Sequence, residues 1–297
     1  MTKKIKIAEI FHSLQGEGLY VGVPSVFIRT FGCNFTCSGF GMETVGPDNL
    51  LVSQEANNIA KQRKDHPEWT YNTLPLAKTG CDSYASWHSK FKDLSPMMGI
   101  DEIVHAVEVS RIEHEPKGEP NGLKASHIVI TGGEPLLGWQ RSYPALLDKL
   151  AEEGYRHITF ETNGTQAITD EFYDYLMLNH ISGKRLDITF SVSPKLRGSG
   201  EGPVDALKPD VVNSYSAFGR VYLKFVVAKA RDVDDCHTFV YEYKKAGWEG
   251  EVYLMPVGGT SESYNLNAPQ VAALAMKNGY RYSPRLQVDL WKNEWGT

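Results

Sequence analysis

Short runs of β-branched and aromatic residues alternate along this chain with longer amphipathic stretches. Each short run ends near Gly, Pro, Asn or Ser, which is typical of strands that lead into loops. Six such runs predict strands over Ser25–Thr30, His127–Thr131, His157–Glu161, Asp187–Ser193, Val221–Val227 and Glu251–Met255. Helical periodicity marks the stretches Asp101–Glu113, Tyr143–Glu153, Asp170–Leu178, Val233–Ala246 and Pro269–Lys277.

Strands that alternate with helices at this spacing predict βα units built on a parallel sheet. About six units indicate an α/β fold of the partial, open βα-barrel type rather than a closed barrel of eight strands. In such sheets the chemistry collects at the C-terminal ends of the strands. The residues that follow each predicted strand are therefore the first candidates for a functional site.

Three segments interrupt this pattern as insertions. Ser38–Gly80 is polar, contains three prolines and includes one predicted helix near Leu51–Lys64. Glu115–Ala125 and Gly198–Pro203 are rich in Gly, Pro and charged residues, and we expect the second to be a mobile loop. Residues 1–297 are predicted to form a single domain that carries the 38–80 insertion within it.

Composition and charge exclude several classes of function. The net charge is −5 and the isoelectric point is about 6.0, which argues against a general nucleic-acid-binding surface. No run approaches the roughly 18 apolar residues of a membrane-spanning helix, and Lys6 and Glu9 interrupt the apolar stretch at the N-terminus. We expect a cytoplasmic protein with neither nucleic acid nor membrane as a direct partner.

The chain has four cysteines, at positions 33, 37, 81 and 236. A cytoplasmic chain of this length does not need disulfide bonds, so clustered cysteines are more often metal ligands or catalytic groups. Cys33 and Cys37 lie in GCNFTC, directly after a predicted strand, where soft thiolates can hold an iron–sulfur cluster or zinc. Cys236 lies in a helical stretch and is predicted to be structural.

The spacing of Cys33 and Cys37 fits the first two positions of the radical S-adenosylmethionine motif CxxxCxxC, but the third position is Phe40. Cys81 follows after 43 intervening residues, in the sequence GCDSYA. A cluster needs three thiolates in space rather than in sequence, and the cost of closing a loop grows slowly with its length. Cys81 could therefore complete an interrupted motif. Two alternatives stay open: a buried structural Cys81, and a zinc site that includes His12 or His88.

The N-terminal run EIFHSLQGEGLYVGVPSVFIRTFGCNFTC closely resembles the 7-carboxy-7-deazaguanine synthases, which are radical S-adenosylmethionine enzymes. The family continues as CDTxYA, which reads CDSYA here. TGGEP at Thr131–Pro135, ETNG at Glu161–Gly164 and SPK at Ser193–Lys195 match three further family elements. The resemblance extends over the chain apart from the three insertions, and it supports the interrupted-motif interpretation.

The resemblance implies a specific reaction, in which 6-carboxy-5,6,7,8-tetrahydropterin undergoes radical-mediated ring contraction to 7-carboxy-7-deazaguanine with loss of ammonia. It implies a [4Fe–4S] cluster, S-adenosyl-L-methionine and Mg²⁺ as cofactors, with deazapurine (queuosine-type) biosynthesis as the setting. Three cysteines on four irons leave one iron open for the amino and carboxylate groups of S-adenosylmethionine. An electron donor such as flavodoxin or ferredoxin, and a homodimer, are implied in the same way.

The resemblance also implies roles for individual residues. The cluster ligands would be Cys33, Cys37 and Cys81, and Ser83 would replace the family's threonine as the magnesium ligand. S-adenosylmethionine would be bound by Gly80, Asp82, Gly133, Glu134, Thr162, Asn163, Ser193, Pro194 and Lys195, with Met255 and Pro256 as further candidates. The substrate would be bound by Leu14, Gln15, Gly16, Glu17, Arg29, Thr131 and Thr297.

One departure from the family puts a substrate contact in doubt. Near the C-terminus the family has a histidine around QTHK, whereas this chain reads Gln287-Val288-Asp289-Leu290. The family's terminal carboxylate reaches the substrate, and Thr297 would supply it here. Two other functions remain as alternatives: a non-catalytic scaffold or regulatory binding protein that has lost a complete cluster, and an iron–sulfur electron carrier. The electron carrier would leave the GGEP and SPK elements unexplained.

Overall fold

The computed structural model describes residues 3–45, 49–112, 127–181 and 186–297. The predicted loop Glu115–Ala125 lies outside the described residues. The strands are β1 Lys4–Leu14, β2 Pro24–Thr30, β3 Thr44–Val45, β4 Asn49–Leu50, β5 Met97–Gly99, β6 His127–Gly132, β7 His157–Thr162, β8 Asp187–Val192, β9 Arg220–Val227, β10 Val252–Pro256 and β11 Arg281–Tyr282. The α-helices are α1 Glu55–Gln62, α2 Ile100–Ile112, α3 Tyr143–Glu152, α4 Asp170–Ile181, α5 Pro203–Ala206, α6 Pro209–Tyr215, α7 Ala230–Lys245, α8 Ser261–Asn278 and α9 Leu286–Trp291.

Nine strands form one open sheet in the order β11-β10-β9-β8-β7-β6-β2-β1-β5. The six predicted strands are β2, β6, β7, β8, β9 and β10, and they are parallel neighbours in chain order. The prediction of a partial, open βα barrel is therefore confirmed. The strand periodicity missed the antiparallel edge, in which β1 lies between β2 and β5.

Alternate residues of each strand separate two environments. Ile128 and Ile130 of β6 and Phe160 of β7 belong to the large hydrophobic core beneath the helices. Thr131 and Glu161, of opposite parity, line a cavity on the other face of the sheet. A strand points successive side chains to opposite faces. The mixed apolar and polar alternation of runs such as HITFET therefore determines which face carries the cavity.

The face away from the helices is layered according to the register of β2 and β6. At its lower end Ser25 pairs with His127, and the Ser25 hydroxyl lies 2.7 Å from the imidazole Nδ1. The next layer is apolar, with Phe27 beside Val129 and stacked on Phe11 at a ring distance of 4.8 Å. The uppermost pair is Arg29 and Thr131, at the floor of the cavity.

The described part of the 38–80 insertion builds a second, smaller core of its own. Ile59, Tyr71 and Leu74 pack there with Tyr84 and Phe91, which follow Cys81 in the chain. The helix predicted near Leu51–Lys64 is present as the shorter α1. No helix in the described ranges has both the length and the apolar character needed to cross a bilayer.

Two helices begin earlier than their periodicity predicted, because polar caps extend them. The Asp232 carboxylate accepts hydrogen bonds from the backbone N–H groups of Ala228 and Lys229, which starts α7 at Ala230. Thr260 caps α8, so this helix begins at Ser261 and contains Pro269 within its length. A capping side chain satisfies the free N–H groups of a first turn that apolar periodicity alone does not detect.

Candidate active site

A cavity of about 510 Å³ opens where the parallel strands reach their C-terminal ends, beside the loop after β1. Two predicted site residues, Glu134 and Pro194, are buried behind its wall. The predicted site residues on its wall are Leu14, Gln15, Gly16, Glu17, Arg29, Cys33, Cys37, Gly80, Cys81, Asp82, Ser83, Thr131, Gly133, Thr162, Asn163, Ser193, Lys195 and Thr297. Met255 and Pro256 line it as well.

We call Cys33, Cys37 and Cys81, which lie on the cavity wall, the cysteine end. Burial raises the pKa of Cys33 to about 12 and that of Cys81 to about 11, and it raises the pKa of Cys37 well above its ordinary value. Cys81 is close enough to Cys33 and Cys37 to oppose their ionisation, and Cys33 also opposes that of Cys37. Thiolates at this end therefore require a cationic group to compensate them.

These three sulfurs fit the donor set of an iron–sulfur cluster, because thiolates are its usual ligands and all three face one cavity. Among the described residues, no group of three or more His, Cys, Asp or Glu side chains is arranged around a single-ion position. The zinc alternative finds no support in His88, whose ring bonds to the Asn57 side chain and to the Lys90 backbone. Cys236 is fully buried in the core below the helices.

The two ends of the insertion meet, which brings Cys81 beside the other two cysteines. The Gly80 N–H donates to the Phe40 carbonyl at 2.7 Å, and the Ser53 N–H donates to the Ser38 carbonyl at 2.6 Å. The hydroxyls of Ser53 and Thr79 lie 2.8 Å apart. An insertion closed at its base leaves the two halves of the motif in one place. The three cysteines of the interrupted motif therefore line one cavity, and their role as cluster ligands stays a prediction.

The Gly198–Pro203 segment, expected to be a mobile loop, packs against the cysteine end instead. One Glu201 carboxylate oxygen accepts from the backbone N–H groups of Thr36 and Cys37, at 2.9 and 2.7 Å. Cys37 has φ +47°, a left-handed conformation that a non-glycine residue adopts only when held. The Gly39 N–H donates to the Ser199 carbonyl at 2.8 Å. These contacts hold the segment against the loop that carries Cys37, and its mobility stays a prediction.

The GGE element after β6 also has an internal structural role. A side chain at Gly133 would meet the Gly32 carbonyl at 2.4 Å and the Cys33 Cβ at 2.7 Å, so only glycine allows this approach. The Glu134 carboxylate accepts from the Thr162 hydroxyl at 2.8 Å and the Asn163 N–H at 2.7 Å. Glu134 thus ties β6 to β7 behind the cavity. Its predicted contact with S-adenosylmethionine stays a prediction.

Another part of the cavity wall carries a network of charged and amide side chains, which we call the polar end. Its members are Glu17, Lys224, Arg285 and Gln287. The Glu17 carboxylate accepts from the Lys224 ammonium at 2.5 Å, from Arg285 Nε at 3.2 Å and from Gln287 Nε2 at 2.6 Å. Among these, the resemblance assigned only Glu17.

Electrostatics at the polar end favour ionised groups. Burial alone would raise the pKa of Glu17, but the cations of Lys224 and Arg285 outweigh it and lower that pKa to about 2. Burial would lower the pKa of Lys224, and the carboxylates of Glu17 and Glu161 reverse this and raise it. Gln15 joins the network by donating to Glu161 at 3.2 Å. The polar end is therefore charged and internally paired at neutral pH.

Arg29 is held by a partner that the sequence did not indicate. Its Nε donates to the Glu9 carboxylate at 2.6 Å, and this pairing raises the pKa of the guanidinium against the effect of burial. Its Nη1 lies 3.4 Å from the Ser83 hydroxyl, which in turn lies 3.3 Å from Asp82. Ser83 offers one oxygen to a cation, but an arginine is its neighbour. Further ligands for Mg²⁺ would have to come from substrate and water.

The C-terminal region shows which side chain lies on the cavity wall where the family has a histidine and this chain does not. Asp289 is exposed and accepts a bond from the Tyr264 hydroxyl at 3.4 Å, and it is not on the cavity wall. Gln287, one helical half-turn earlier, lies on the wall with its Oε1 buried and without a hydrogen-bond partner. The side chain that reaches the cavity from α9 is therefore Gln287, which the sequence marked only as a departure.

Other wall residues escaped prediction because nothing local distinguishes them. Lys224 and Arg285 lie in ordinary strand and loop sequence, more than 200 positions from their partner Glu17. A lysine in the middle of the apolar run VYLKFVV of β9 is the one available signal, since a buried strand seldom carries an unpaired charge. Lys195, by contrast, was predicted, and its Nζ donates to the Ser193 hydroxyl at 3.1 Å.

Comparisons with known proteins agree with this geometry. No family model matches the chain. It is 34% identical over 298 residues to a 7-carboxy-7-deazaguanine synthase of Halobacterium salinarum, covering 97% of this chain and 91% of that protein. It is 27% identical to a protein of the same name from Pyrobaculum aerophilum, with 99% and 98% covered. The crystal structure of QueE from Escherichia coli shares the fold with a TM-score of 0.52 at 21% identity, over 94% of this chain and 93% of that chain.

Proposed function

The chain belongs to the 7-carboxy-7-deazaguanine synthase family of radical S-adenosylmethionine enzymes, and on that premise we propose that it converts 6-carboxy-5,6,7,8-tetrahydropterin to 7-carboxy-7-deazaguanine with loss of ammonia. One observation carries this proposal. Three cysteines from two distant parts of the sequence face the same cavity as a preformed polar end. The first group suits a cluster, and the second suits a small, polar, heteroaromatic substrate.

In this proposal Cys33, Cys37 and Cys81 hold a [4Fe–4S] cluster. When bound, the cluster and S-adenosylmethionine supply the electron and the hydrogen-abstracting group for the reaction. The chain's own contribution is position. Asn163 donates from its side chain to Asn34 of the cysteine loop at 2.9 Å, and Glu201 holds Cys37 from the other side. The loop is thus fixed relative to the strand ends that would bind the cofactor.

We propose that the cofactor lies along the ends of β6, β7 and β8. The wall residues there are Gly133, Thr162, Asn163, Ser193 and Lys195, with Gly80 and Asp82 opposite. The Lys195 ammonium donates to the Ser193 hydroxyl and lies over the Phe40 ring, and its other N–H groups can approach a carboxylate. Pro194 and Glu134, both buried, would act by shaping this wall rather than by direct contact.

The substrate would lie against the polar end and the cavity floor. Arg29 has its Nε occupied by Glu9, so its remaining N–H groups can hold the pterin carboxylate. Gln15 and Glu17 can pair with ring N–H and amino groups, and Leu14, Gly16, Thr131 and Thr297 complete the wall. Charges that are already paired and buried need little rearrangement when substrate binds, which favours a fixed orientation.

A requirement for Mg²⁺ is part of the proposal, with Ser83 as the protein ligand, and no step is assigned to the ion. Flavodoxin or ferredoxin as electron donor, a homodimer and a cytoplasmic location follow from the family in the same way. Titrating Mg²⁺ into enzyme freed of divalent ions should raise turnover. Replacing Ser83 by alanine should raise the Mg²⁺ concentration that gives half-maximal rate.

The decisive experiment is anaerobic reconstitution with iron and sulfide, followed by iron counting and assay of the pterin. We expect wild type to hold four irons and form product. Cys81→Ala should lose the intact cluster and at least about a thousandfold in turnover, because the ligands act as a unit. Cys236→Ala is the matched control and should keep both properties. A non-catalytic scaffold would show no product with any variant, and an unchanged Cys81→Ala would contradict the interrupted motif.

A further inference from the structure

The C-terminal segment Asn293–Thr297 forms part of the cavity wall. Helix α9 ends at Trp291, and Lys292 and Asn293 both adopt left-handed backbone conformations, with φ +56° and +65°. Two consecutive residues of this kind reverse the chain. The segment therefore turns back from the helix and runs across the mouth of the cavity.

This segment is attached at two points, one in the loop after β10 and one in the insertion. On one side the Asn293 side chain donates to the Gly259 carbonyl, in the loop after β10, at 3.1 Å. On the other side the Trp295 indole N–H donates to the Leu74 carbonyl, in the insertion, at 2.8 Å. The first attachment belongs to the barrel and the second to the insertion.

The insertion and the segment that follows Cys81 each place one tyrosine against the Trp295 ring. Tyr71 meets it edge-on at a centroid distance of 5.0 Å and an interplanar angle of 70°, and Tyr84 does so at 5.8 Å and 76°. Leu74 and Ile59 belong to the same small core. We define Tyr71, Leu74 and Tyr84 as the Trp295 socket. Edge-to-face aromatic contacts and a satisfied indole N–H give this anchor both orientation and strength.

The anchored segment continues directly into the polar end. Asn293 N–H donates to the Gln287 carbonyl at 2.9 Å, and the Gln287 side chain donates to Glu17. The insertion also approaches this wall, since a side chain at Gly259 would meet the Ala77 carbonyl at 2.5 Å. Displacement of the segment would therefore disturb groups of the polar end, which would face the substrate.

We propose that the 38–80 insertion is an anchor for the C-terminal segment, and that Trp295 is a positioning residue for substrate binding. This inference rests on the proposed function for its kinetic consequence. It assigns the insertion a task at the substrate side of the cavity, in addition to its place within the cysteine motif. In this role Trp295 acts indirectly, by fixing the position of Gln287 and of residues 296–297.

Three variants test the anchor. Trp295→Ala should raise KM for the pterin about tenfold or more, because one partly buried hydrogen bond and two ring contacts are lost. Its kcat should change less than KM, and its iron content and KM for S-adenosylmethionine should match wild type. Trp295→Phe keeps the ring packing and should recover much of the affinity. Leu290→Ala, an exposed position on α9, is the matched control and should equal wild type.

A double-mutant cycle and hydrogen exchange test whether the effect of Trp295→Ala comes from loss of its contact with the insertion. Tyr71→Leu should weaken pterin binding as well, and adding it to Trp295→Ala should cost little more, since both changes remove the same contact. Amides 293–297 should exchange faster in Trp295→Ala than in wild type. A KM within twofold of wild type together with unchanged exchange would overturn the inference. If wild type forms no product, the proposed function fails, and the exchange measurement still decides whether the insertion anchors the segment.

Discussion

The cysteine end and the polar end of the cavity are both buried, yet they treat charge in opposite ways. At the cysteine end burial raises the pKa of every thiol, and the wall provides Lys195 as a nearby cation. At the polar end Glu17 meets Lys224 and Arg285 directly, and its pKa falls to about 2. Thiolates at the cysteine end need a cation from outside the chain, whereas the charges of the polar end are compensated by one another.

The polar end is complete in the metal-free protein, whereas the cysteine end reaches its functional state only when a metal cluster binds. A self-paired network is part of the folded protein and contributes to its stability with no ligand bound. Three protonated thiols contribute as small apolar groups and change character when metal arrives. The polar end should therefore be measurable in the metal-free protein, and the cysteine end should be measurable mainly through the cluster.

The largest expected effect comes from removing the central cation of the polar end. Lys224→Met leaves the Glu17 and Glu161 carboxylates buried with less compensation, and we expect a loss of about 3 kcal/mol in the free energy of unfolding. Urea unfolding of the metal-free protein at pH 7 measures this. Lys195→Met, the matched change at the cysteine end, should cost less than about 1 kcal/mol. Equal losses for the two variants would remove the distinction between the ends.

A smaller effect depends on pH and concerns Glu17. Because its pKa is lowered in the folded protein, its ionisation stabilises the fold above the ordinary value of 4.5, and this contribution is lost as pH falls from 4.5 towards 2. The difference in unfolding free energy between wild type and Glu17→Gln should be constant from pH 8 to pH 5. Below that it should shrink by a few kcal/mol. A difference that already shrinks between pH 8 and pH 6 would contradict this assignment.

The smallest of the three effects concerns Glu201 and the stability of the cluster at the cysteine end. Glu201→Ala removes the acceptor that holds the backbone of Thr36 and Cys37, so we expect the reconstituted cluster to decay about tenfold faster in air. Glu201→Gln keeps an acceptor oxygen and should decay nearly as slowly as wild type. Absorbance of the cluster over time measures both. Urea unfolding of the metal-free Glu201→Ala protein should stay within about 1 kcal/mol of wild type, unlike Lys224→Met.

Local sequence was most informative where an element carries its own signal. The periodicity of HITFET and of its five sister runs located six parallel strands, β2 and β6 to β10, within two residues, because a two-residue repeat is a property of the strand itself, and it missed the short parallel strand β11. Motifs read against the family placed Gln15, Glu17 and Arg29 on the cavity wall. The composition of Gly198–Pro203 did not reveal that this segment packs on the loop carrying Cys37, because that contact joins residues more than 160 positions apart.

The sequence by itself determined the six βα units, the face of the sheet that carries polar side chains and the three cysteines that could share a cluster. Only the tertiary structure decided that Cys81 lies with Cys33 and Cys37, that Lys224 and Arg285 neutralise Glu17, and that the insertion holds Trp295. The physical reason is the distance along the chain between the residues that interact. Strand and helix patterns come from neighbours in the chain, whereas ion pairs and aromatic sockets join residues about 200 positions apart that only folding brings together.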